Sequence, residues 1–144
     1  MKTIRELLQT KGHKVHTVQA GETVYRAIEK MVEHNIGALL VKREERVIGI
    51  ITERDYLKKV ILKNRSSKET SVETIMSPEL VVTNSARTIG EALATMTEKR
   101  CRHLPVLEDG KLCGLVSIGD LVKAMIADQK AHIEFLEEYL YGGR

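Results

Sequence analysis

The chain has 144 residues, enough for one compact domain or two very small ones and too few for a large multidomain enzyme. Charged residues make up 30% and hydrophobic residues 42% of the sequence, which predicts a folded protein rather than a disordered one. The net charge is only +3 and the basic residues are spread along the chain, which argues against a nucleic-acid partner.

The N-terminal segment is predicted to form a short helix over residues 3–10 that ends near Gly12. Arg5 and Glu6 stand where a secretory signal would need an unbroken apolar stretch. Apolar runs elsewhere, such as Ala38–Val41, are far too short to span a bilayer. We therefore expect a soluble cytoplasmic protein with no membrane partner.

Residues 15–60 are predicted to fold as a β-α-β-β-α unit. Apolar residues recur at helical spacing after Thr23, whereas two shorter apolar runs are separated by a polar turn, as in a β-hairpin. Both helices begin at a threonine that can cap the first helical turn. The elements are, in order, an extended segment at 15–18, a helix after Thr23, strands at 38–41 and 47–51, and a helix from Thr52.

The sequence contains this unit twice. A shift of 65 residues, without a gap, aligns residues 15–60 with residues 80–125. Identical pairs include Thr23 with Thr88, Met31 with Met96, Gly49 with Gly114, and Asp55 with Asp120. One copy of about 46 residues is too small to cover its own sheet, so we expect the two copies to pack together.

The fold class predicted from this repeat is α+β, with two β-α-β-β-α copies related by a pseudo-twofold axis. A polar linker at 63–71 and a helical turn at 72–76 join the copies. The last helix is predicted to run on to Tyr141, with Leu121, Met125, Ile133 and Leu136 forming an apolar stripe that a second subunit covers. The expected divisions are residues 1–65 (N-terminal helix and first repeat), 72–127 (second repeat) and 128–144 (C-terminal extension).

A short motif follows the last strand of each copy. It runs Gly49-Ile-Ile-Thr52-Glu-Arg-Asp55 in the first and Gly114-Leu-Val-Ser117-Ile-Gly-Asp120 in the second. A hydroxyl residue followed three positions later by an acid can form a capping box, which would be a purely structural role. A glycine ahead of each motif could instead let a ligand approach the backbone, and the carboxylate could accept hydrogen bonds from the vicinal hydroxyls of a ribose.

The repeat, its two motifs and the strand Arg102-His103-Leu104-Pro105-Val106 resemble a tandem pair of cystathionine-β-synthase (CBS) domains, the Bateman module, and in particular the stand-alone bacterial CBS-pair proteins. The resemblance covers most of the chain. It implies two clefts between the repeats that bind adenosine-containing ligands: AMP, ADP, ATP, NAD or S-adenosylmethionine. It also implies a homodimer, and a regulatory module that signals to an effector protein.

Transferred to this sequence, the resemblance implies two sets of ligand-binding residues. The first cleft would use Thr52 and Asp55 for the ribose, Arg54, Arg102 and His103 for phosphate, and the backbone of His16, Thr17 and Val18 against the base. The second would use Ser117 and Asp120 with the strand that contains Val82 and Thr83. Because the second set lacks counterparts of the three basic residues, we expect the first cleft to prefer the more highly phosphorylated ligand. Arg102 could alternatively be a solvated edge-strand charge.

A catalytic role finds no support in the sequence, since it has no phosphate-binding loop, dinucleotide fingerprint or nucleophile elbow. We expect no catalytic residue, catalytic cofactor or metal site, because the pairs His13/His16 and Cys101/His103 each lack a second pair of ligands. Cys101 and Cys113 are expected to be buried reduced thiols. The remaining alternative is a structural or interaction protein whose nucleotide sites are vestigial.

Overall fold

The computed structural model describes residues 2–142, which fold into two compact units. The first-repeat unit contains Val15–Leu80. The second-repeat unit contains the N-terminal residues up to Lys14 together with the chain from Val81 onwards. The described chain is mixed α and β with two three-stranded sheets and a long C-terminal helix, which confirms the predicted fold class. No helix within residues 2–142 has the length and apolar character needed to cross a membrane.

The first-repeat unit is a three-stranded sheet with strand order β1-β2-β3. β1 runs parallel to β2, and β2 and β3 form an antiparallel hairpin. Glu44 adopts a left-handed conformation in the hairpin turn. The elements are β1 (Thr17–Gln19), α2 (Val24–His34), β2 (Ala38–Arg43), β3 (Arg46–Thr52), α3 (Glu53–Tyr56) continued by a π-helical turn (Leu57–Ile61), and α4 (Val72–Ile75).

The second-repeat unit has the same topology, with strand order β4-β5-β6. Its C-terminal helix α6 continues as a wider π-helical turn to Gly142, close to the predicted end at Tyr141. The elements are α1 (Ile4–Lys11), β4 (Thr83–Asn84), α5 (Ile89–Lys99), β5 (His103–Glu108), β6 (Lys111–Ser117) and α6 (Ile118–Glu137).

Each unit contains the segment that precedes the other repeat in the sequence. In the second-repeat unit, α1 buries Ile4, Leu7 and Leu8 among the apolar residues of that repeat, although the sequence groups this helix with the first repeat. In the first-repeat unit, α4 buries Val72 and Ile75 in the core of the first repeat. The segment that directly precedes a repeat in the sequence therefore belongs to the other unit of the fold.

The core of each unit is aliphatic, as expected for a chain with 3% aromatic residues and no tryptophan. The C-terminal stripe requires a correction, because Leu121 is fully buried in the core and Met125 packs against it. The exposed apolar residues of this helix lie one position further on, at Val122 and Ile126, and continue at Ile133, Leu136 and Leu140. Cys101 and Cys113 are free thiols that are half-buried rather than buried, and desolvation raises the pKa of both.

Candidate functional site

The first motif lies at the corner between β3 and α3 and forms a complete capping box. Thr52 Oγ1 accepts a hydrogen bond from the Asp55 N–H at 3.2 Å. Asp55 Oδ2 in turn accepts from the Thr52 N–H at 2.9 Å and from its hydroxyl at 3.1 Å. The Asp55 side chain is only 11% exposed. The capping interpretation is therefore confirmed for this motif, and its carboxylate is held rigidly at the start of a helix.

A lysine that the sequence motif does not include completes the surroundings of Asp55. Lys59 lies one helical turn further on, with Nζ 3.2 Å from Asp55 Oδ1. The same ammonium donates to the Ile75 carbonyl at the end of α4, at 2.9 Å. The spacing of four residues between an acid and a lysine is the signal that could have identified this pair.

The second motif forms the same capping box at the corner between β6 and α6. Ser117 Oγ accepts from the Asp120 N–H at 3.1 Å, and Asp120 Oδ2 accepts from the Ser117 N–H at 2.8 Å. The lysine here comes from α1: Lys11 Nζ lies 2.6 Å from Asp120 Oδ2 and also 2.6 Å from the Leu115 carbonyl oxygen. Lys11 and Asp120 are 109 positions apart in the sequence, so no spacing pattern indicates that they form a pair.

The electrostatic surroundings keep Asp120 ionised. Partial burial alone would raise the pKa of this carboxyl group, because desolvation disfavours the charged form. The hydrogen bond from the Lys11 ammonium and the N–H of Ser117 outweigh that effect, and the pKa of Asp120 lies below its ordinary value. At neutral pH the motif therefore presents a carboxylate paired with an ammonium.

The glycines ahead of the motifs are packed closely against other parts of the chain. A Cβ on Gly49 would lie 2.7 Å from both the Ser77 carbonyl oxygen and the Met76 sulfur. A Cβ on Gly114 would lie 2.8 Å from a methyl group of Leu8. The chain itself fills the space on the Cβ side of each glycine. These glycines allow the incoming segment of the other repeat to pack closely against the sheet.

The remaining predicted residues of the first-repeat unit lie on β1 or beside the motif. Val18 is buried in the core, so its side chain cannot contact a ligand. The Thr17 carbonyl accepts from Lys30 Nζ at 3.0 Å, and the His16 ring stacks on that of His34 with centroids 3.9 Å apart. Arg54 is exposed. In the sheet register, Thr17 on β1 is the partner of Leu40 on β2, and Leu40 is the partner of Ile50 on β3. The first residue of β1 therefore lies at the same height along the sheet as Ile50, which belongs to the first motif.

In the second-repeat unit, His103 pairs directly with Ser117 across the β5-β6 ladder. Arg102 is exposed, and its carbonyl accepts from the Ile118 N–H at 2.8 Å. Thr83 is buried on β4, whereas Val82 beside it is 42% exposed. The structure thus places His103 and Arg102 next to the second motif of their own unit. Their expected contact with a ligand held by Asp55 remains a prediction.

Both carboxylates retain hydrogen-bonding capacity. A carboxylate offers about four acceptor positions. Asp55 already accepts two hydrogen bonds from Thr52 and forms an ion pair with Lys59. Asp120 accepts one hydrogen bond from Ser117 and one from Lys11. Each can therefore still accept from a small polar ligand. Among the described residues, no group of three or more metal-ligating side chains is arranged around an ion.

Comparison with known proteins shows similarity over nearly the whole chain. The family model of the CBS domain matches residues 4–62 and 72–127. A solved CBS-domain protein from Burkholderia ambifaria, assigned to signal transduction, is 49% identical with a TM-score of 0.85, and the match covers 89% of this chain and 96% of that one.

Two further relatives are less similar in sequence. The mitochondrial CBS-domain protein CBSX3 of Arabidopsis thaliana is 38% identical over 150 residues, covering 98% of this chain and 73% of that one. The hexameric CBS-CP12 protein of bloom-forming cyanobacteria is 27% identical with a TM-score of 0.74, and the match covers 85% of this chain and 70% of that one.

Proposed function

Because the chain belongs to the CBS-domain family and contains two CBS repeats, we propose that it is a regulatory module that binds an adenosine-containing ligand at its two motif aspartates. The relatives are CBS-domain proteins, one of them assigned to signal transduction, and none of those described above is named as an enzyme. The proposed ligands are AMP, ADP, ATP, NAD and S-adenosylmethionine.

The observation that carries this proposal is the difference between the motif aspartates and the ordinary helix caps of the same chain. Glu6 and Glu91 also complete capping boxes, and both are exposed. Asp55 and Asp120 are 11% and 27% exposed, each with a lysine ammonium beside it. Glu91, in contrast, pairs with Arg87 while it remains 50% exposed. Capping alone does not require a carboxylate to lose its water, which is costly. A paired, partly desolvated carboxylate at a duplicated strand-to-helix corner is suited to accept hydrogen bonds from a ribose diol.

The two lysines leave the expected difference between the sites in place. From the sequence, basic residues were expected only at the Asp55 site, namely Arg54, Arg102 and His103. Lys59 and Lys11 each pair with the motif carboxylate of their own unit, so they are present at both sites and do not distinguish them. We therefore still expect the Asp55 site to bind the more highly phosphorylated ligand, because Arg54 is exposed next to it.

We also propose that the protein is a homodimer that signals to an effector protein. The exposed apolar residues on α6 and its extension include Ile126 at 59%, Ile133 at 55% and Leu140 at 66%. A contiguous exposed apolar patch of this kind is typical of an interaction surface. One relative is named as a hexamer, which shows that assembly occurs in a CBS-domain protein of this fold. A location in the cytoplasm remains a proposal.

The second candidate function is an interaction protein with vestigial nucleotide sites. It is favoured by the fact that both capping boxes are complete without any ligand. Calorimetric titration of the purified protein with AMP, ATP, NAD and S-adenosylmethionine distinguishes the two. Saturable heat with at least one ligand supports the sensor. Absence of heat with all four, for protein shown by native mass spectrometry to carry no copurified ligand, would favour the interaction protein.

A further inference from the structure

We propose that Lys11 is an affinity-determining residue of the Asp120 site, and that a ligand at this site displaces its ammonium and releases the C-terminal end of α1. This inference rests on the proposed function, since it requires a ligand that uses the Asp120 carboxylate. Beyond the proposed function, it identifies a residue outside the motif that sets the affinity and a segment of the chain that responds to ligand binding.

The hydrogen bonds at Asp120 show why the ligand and the lysine compete. The Ser117 N–H and the Lys11 ammonium both donate to the same carboxylate oxygen, Oδ2, at 2.8 Å and 2.6 Å. One oxygen accepts about two hydrogen bonds, so Oδ2 is saturated. A diol that bridges both carboxylate oxygens needs a position on Oδ2. The Ser117 N–H is fixed by the helix cap, so the flexible ammonium is the donor that gives way.

The Lys11 contact is accessible enough to exchange. The side chains of Lys11 and Asp120 are 37% and 27% exposed, so the displaced ammonium can move into water instead of being buried without a partner. A half-exposed ion pair of this kind contributes modestly to stability. A ligand can therefore replace it without unfolding the unit.

The attachment of α1 predicts which residues move. Its first half is held firmly: the N–H groups of Ile4 and Arg5 donate to the carbonyls of Arg87 and Ser85, both at 2.9 Å, and Ile4, Leu7 and Leu8 are buried. Beyond Leu8, this segment is tied to β6 and α6 by the Lys11 ammonium and by the His13 ring, whose Nδ1 lies 2.9 Å from the Cys113 carbonyl oxygen. A ligand that takes the Asp120 position leaves only the Leu115 carbonyl for the Lys11 ammonium, so residues 11–16 should loosen while the rest of α1 stays in place.

The Asp55 site provides the contrast. Lys59 stands on the same helical segment as Asp55, four residues further on. Its ammonium lies beside Oδ1, whereas the Thr52 N–H and hydroxyl fill Oδ2, so a bridging diol displaces the Thr52 hydroxyl and frees no separate N-terminal segment. Residues 12–16, in comparison, connect α1 directly to β1, whose first residue is Thr17. Release of Lys11 therefore loosens the segment that joins α1 to β1. Through this segment of the chain, a ligand at the Asp120 site can affect the first repeat.

The test compares Asp55→Asn protein, in which the second site dominates binding, with the Asp55→Asn/Lys11→Met variant. Methionine is a suitable replacement because Met76 occupies the corresponding position before the other repeat. Calorimetric titration with AMP and with ATP should give about three- to tenfold tighter binding when Lys11 is absent, since the ligand no longer competes with an ion pair. Lys99→Ala, at an exposed lysine in the last turn of α5 of the same unit, is the control and should leave this affinity unchanged.

Amide hydrogen exchange provides the second measurement. Residues 11–16 should exchange faster in wild-type protein when AMP or ATP is bound, and equally fast in ligand-free Lys11→Met protein. Equal affinity with and without Lys11, or unchanged exchange at 11–16, would overturn the role of Lys11 and leave the proposed function standing. Absence of binding in every variant would overturn the proposed function itself, and the competition with it. Binding detected only without Lys11 would support both.

Discussion

Substituting Gly49 with alanine tests whether the motif glycine serves the packing of the chain or the approach of a ligand. The added Cβ would lie 2.7 Å from the Ser77 carbonyl oxygen and 2.7 Å from the Met76 sulfur. The methionine side chain can rotate away, but the carbonyl cannot easily do so. The Ser77 carbonyl accepts from the Ile50 N–H at 3.0 Å, while the Ser77 N–H donates to the Ile50 carbonyl at 2.8 Å.

The cost of the substitution follows from these contacts. An ordinary van der Waals separation requires a displacement of about 0.7 Å, and overpacking of this kind costs about 1 to 3 kcal/mol. Each of the two weakened hydrogen bonds adds a fraction of its net contribution, which is about 0.5 to 1.5 kcal/mol. Alanine also reduces the conformational entropy of the unfolded chain, which raises the free energy of unfolding by about 0.4 to 1 kcal/mol. We expect a net loss of about 1 to 3 kcal/mol, which lowers Tm by roughly 3 to 9 °C in a protein of this size.

Urea unfolding followed by circular dichroism measures this loss directly. Gly21→Ala is the matched control, because a Cβ at Gly21 would meet no atom within 4 Å. It should leave stability unchanged or slightly raised. If Gly49→Ala were as stable as the control and lost only ligand binding, the packing role of Gly49 would be refuted and the glycine would serve ligand approach.

Three further predictions concern the site and the assembly. Asp55→Ala should weaken adenosine-ligand binding at the first site by at least tenfold in a calorimetric titration, because each lost hydrogen bond to a charged group is worth about 1.5 to 3 kcal/mol, whereas Asp120→Ala should spare that site. The pKa of Asp120 is lower in the folded protein than in the unfolded chain, so the ionised carboxylate stabilises the fold. This contribution is fully present above the unfolded-state pKa of about 3.9, and it is lost as the pH falls through the folded-state pKa. The stability difference between wild type and Asp120→Asn in urea should therefore shrink in acid, and a difference constant from pH 7 to about pH 2.5 would contradict the assignment. Deleting residues 128–144 should shift the protein towards monomer in analytical ultracentrifugation, and an unchanged dimer would exclude the C-terminal helix as its main contact.

Most of the fold could be predicted because its determinants are local. Thr23 and Thr88 accept hydrogen bonds from the N–H groups of Arg26 and Glu91, as expected for helix caps. The hairpin turn at Asp109 and Gly110 shows the two positive φ values that its sequence favours. A repeat with a constant offset of 65 residues then predicts both copies from one.

The exchange of segments between the units could not be predicted. Leu7 and Leu8 indicate that α1 is amphipathic, but an apolar face does not specify which of two similar sheets it covers. The same ambiguity explains why the first half of the exposed stripe of α6 was expected one residue out of phase, whereas Ile133 and Leu136 are exposed as expected. Leu121 and Val122 are both apolar, and only the direction in which the helix enters the core decides that the first is buried and the second is 42% exposed.

The candidate site was predicted only in part for the same reason. The motif identifies Thr52, Asp55, Ser117 and Asp120, whose mutual contacts span three residues. Lys59 could have been found through its helical spacing from Asp55, whereas the Lys11 contact depends on which unit α1 joins. The packing role of the glycines could not be predicted because the segments that pack against them lie far from them or beyond a linker in the sequence.

The central claim is that the two motif aspartates hold an adenosine-containing ligand. Calorimetric titration of wild-type protein and of the Asp55→Ala/Asp120→Ala double variant, with whichever of AMP, ATP, NAD and S-adenosylmethionine binds most tightly to the wild type, tests it most directly. The double variant should be shown to be folded by circular dichroism first. We predict saturable binding to the wild type and none to the double variant, whereas undiminished binding to the double variant would contradict the claim.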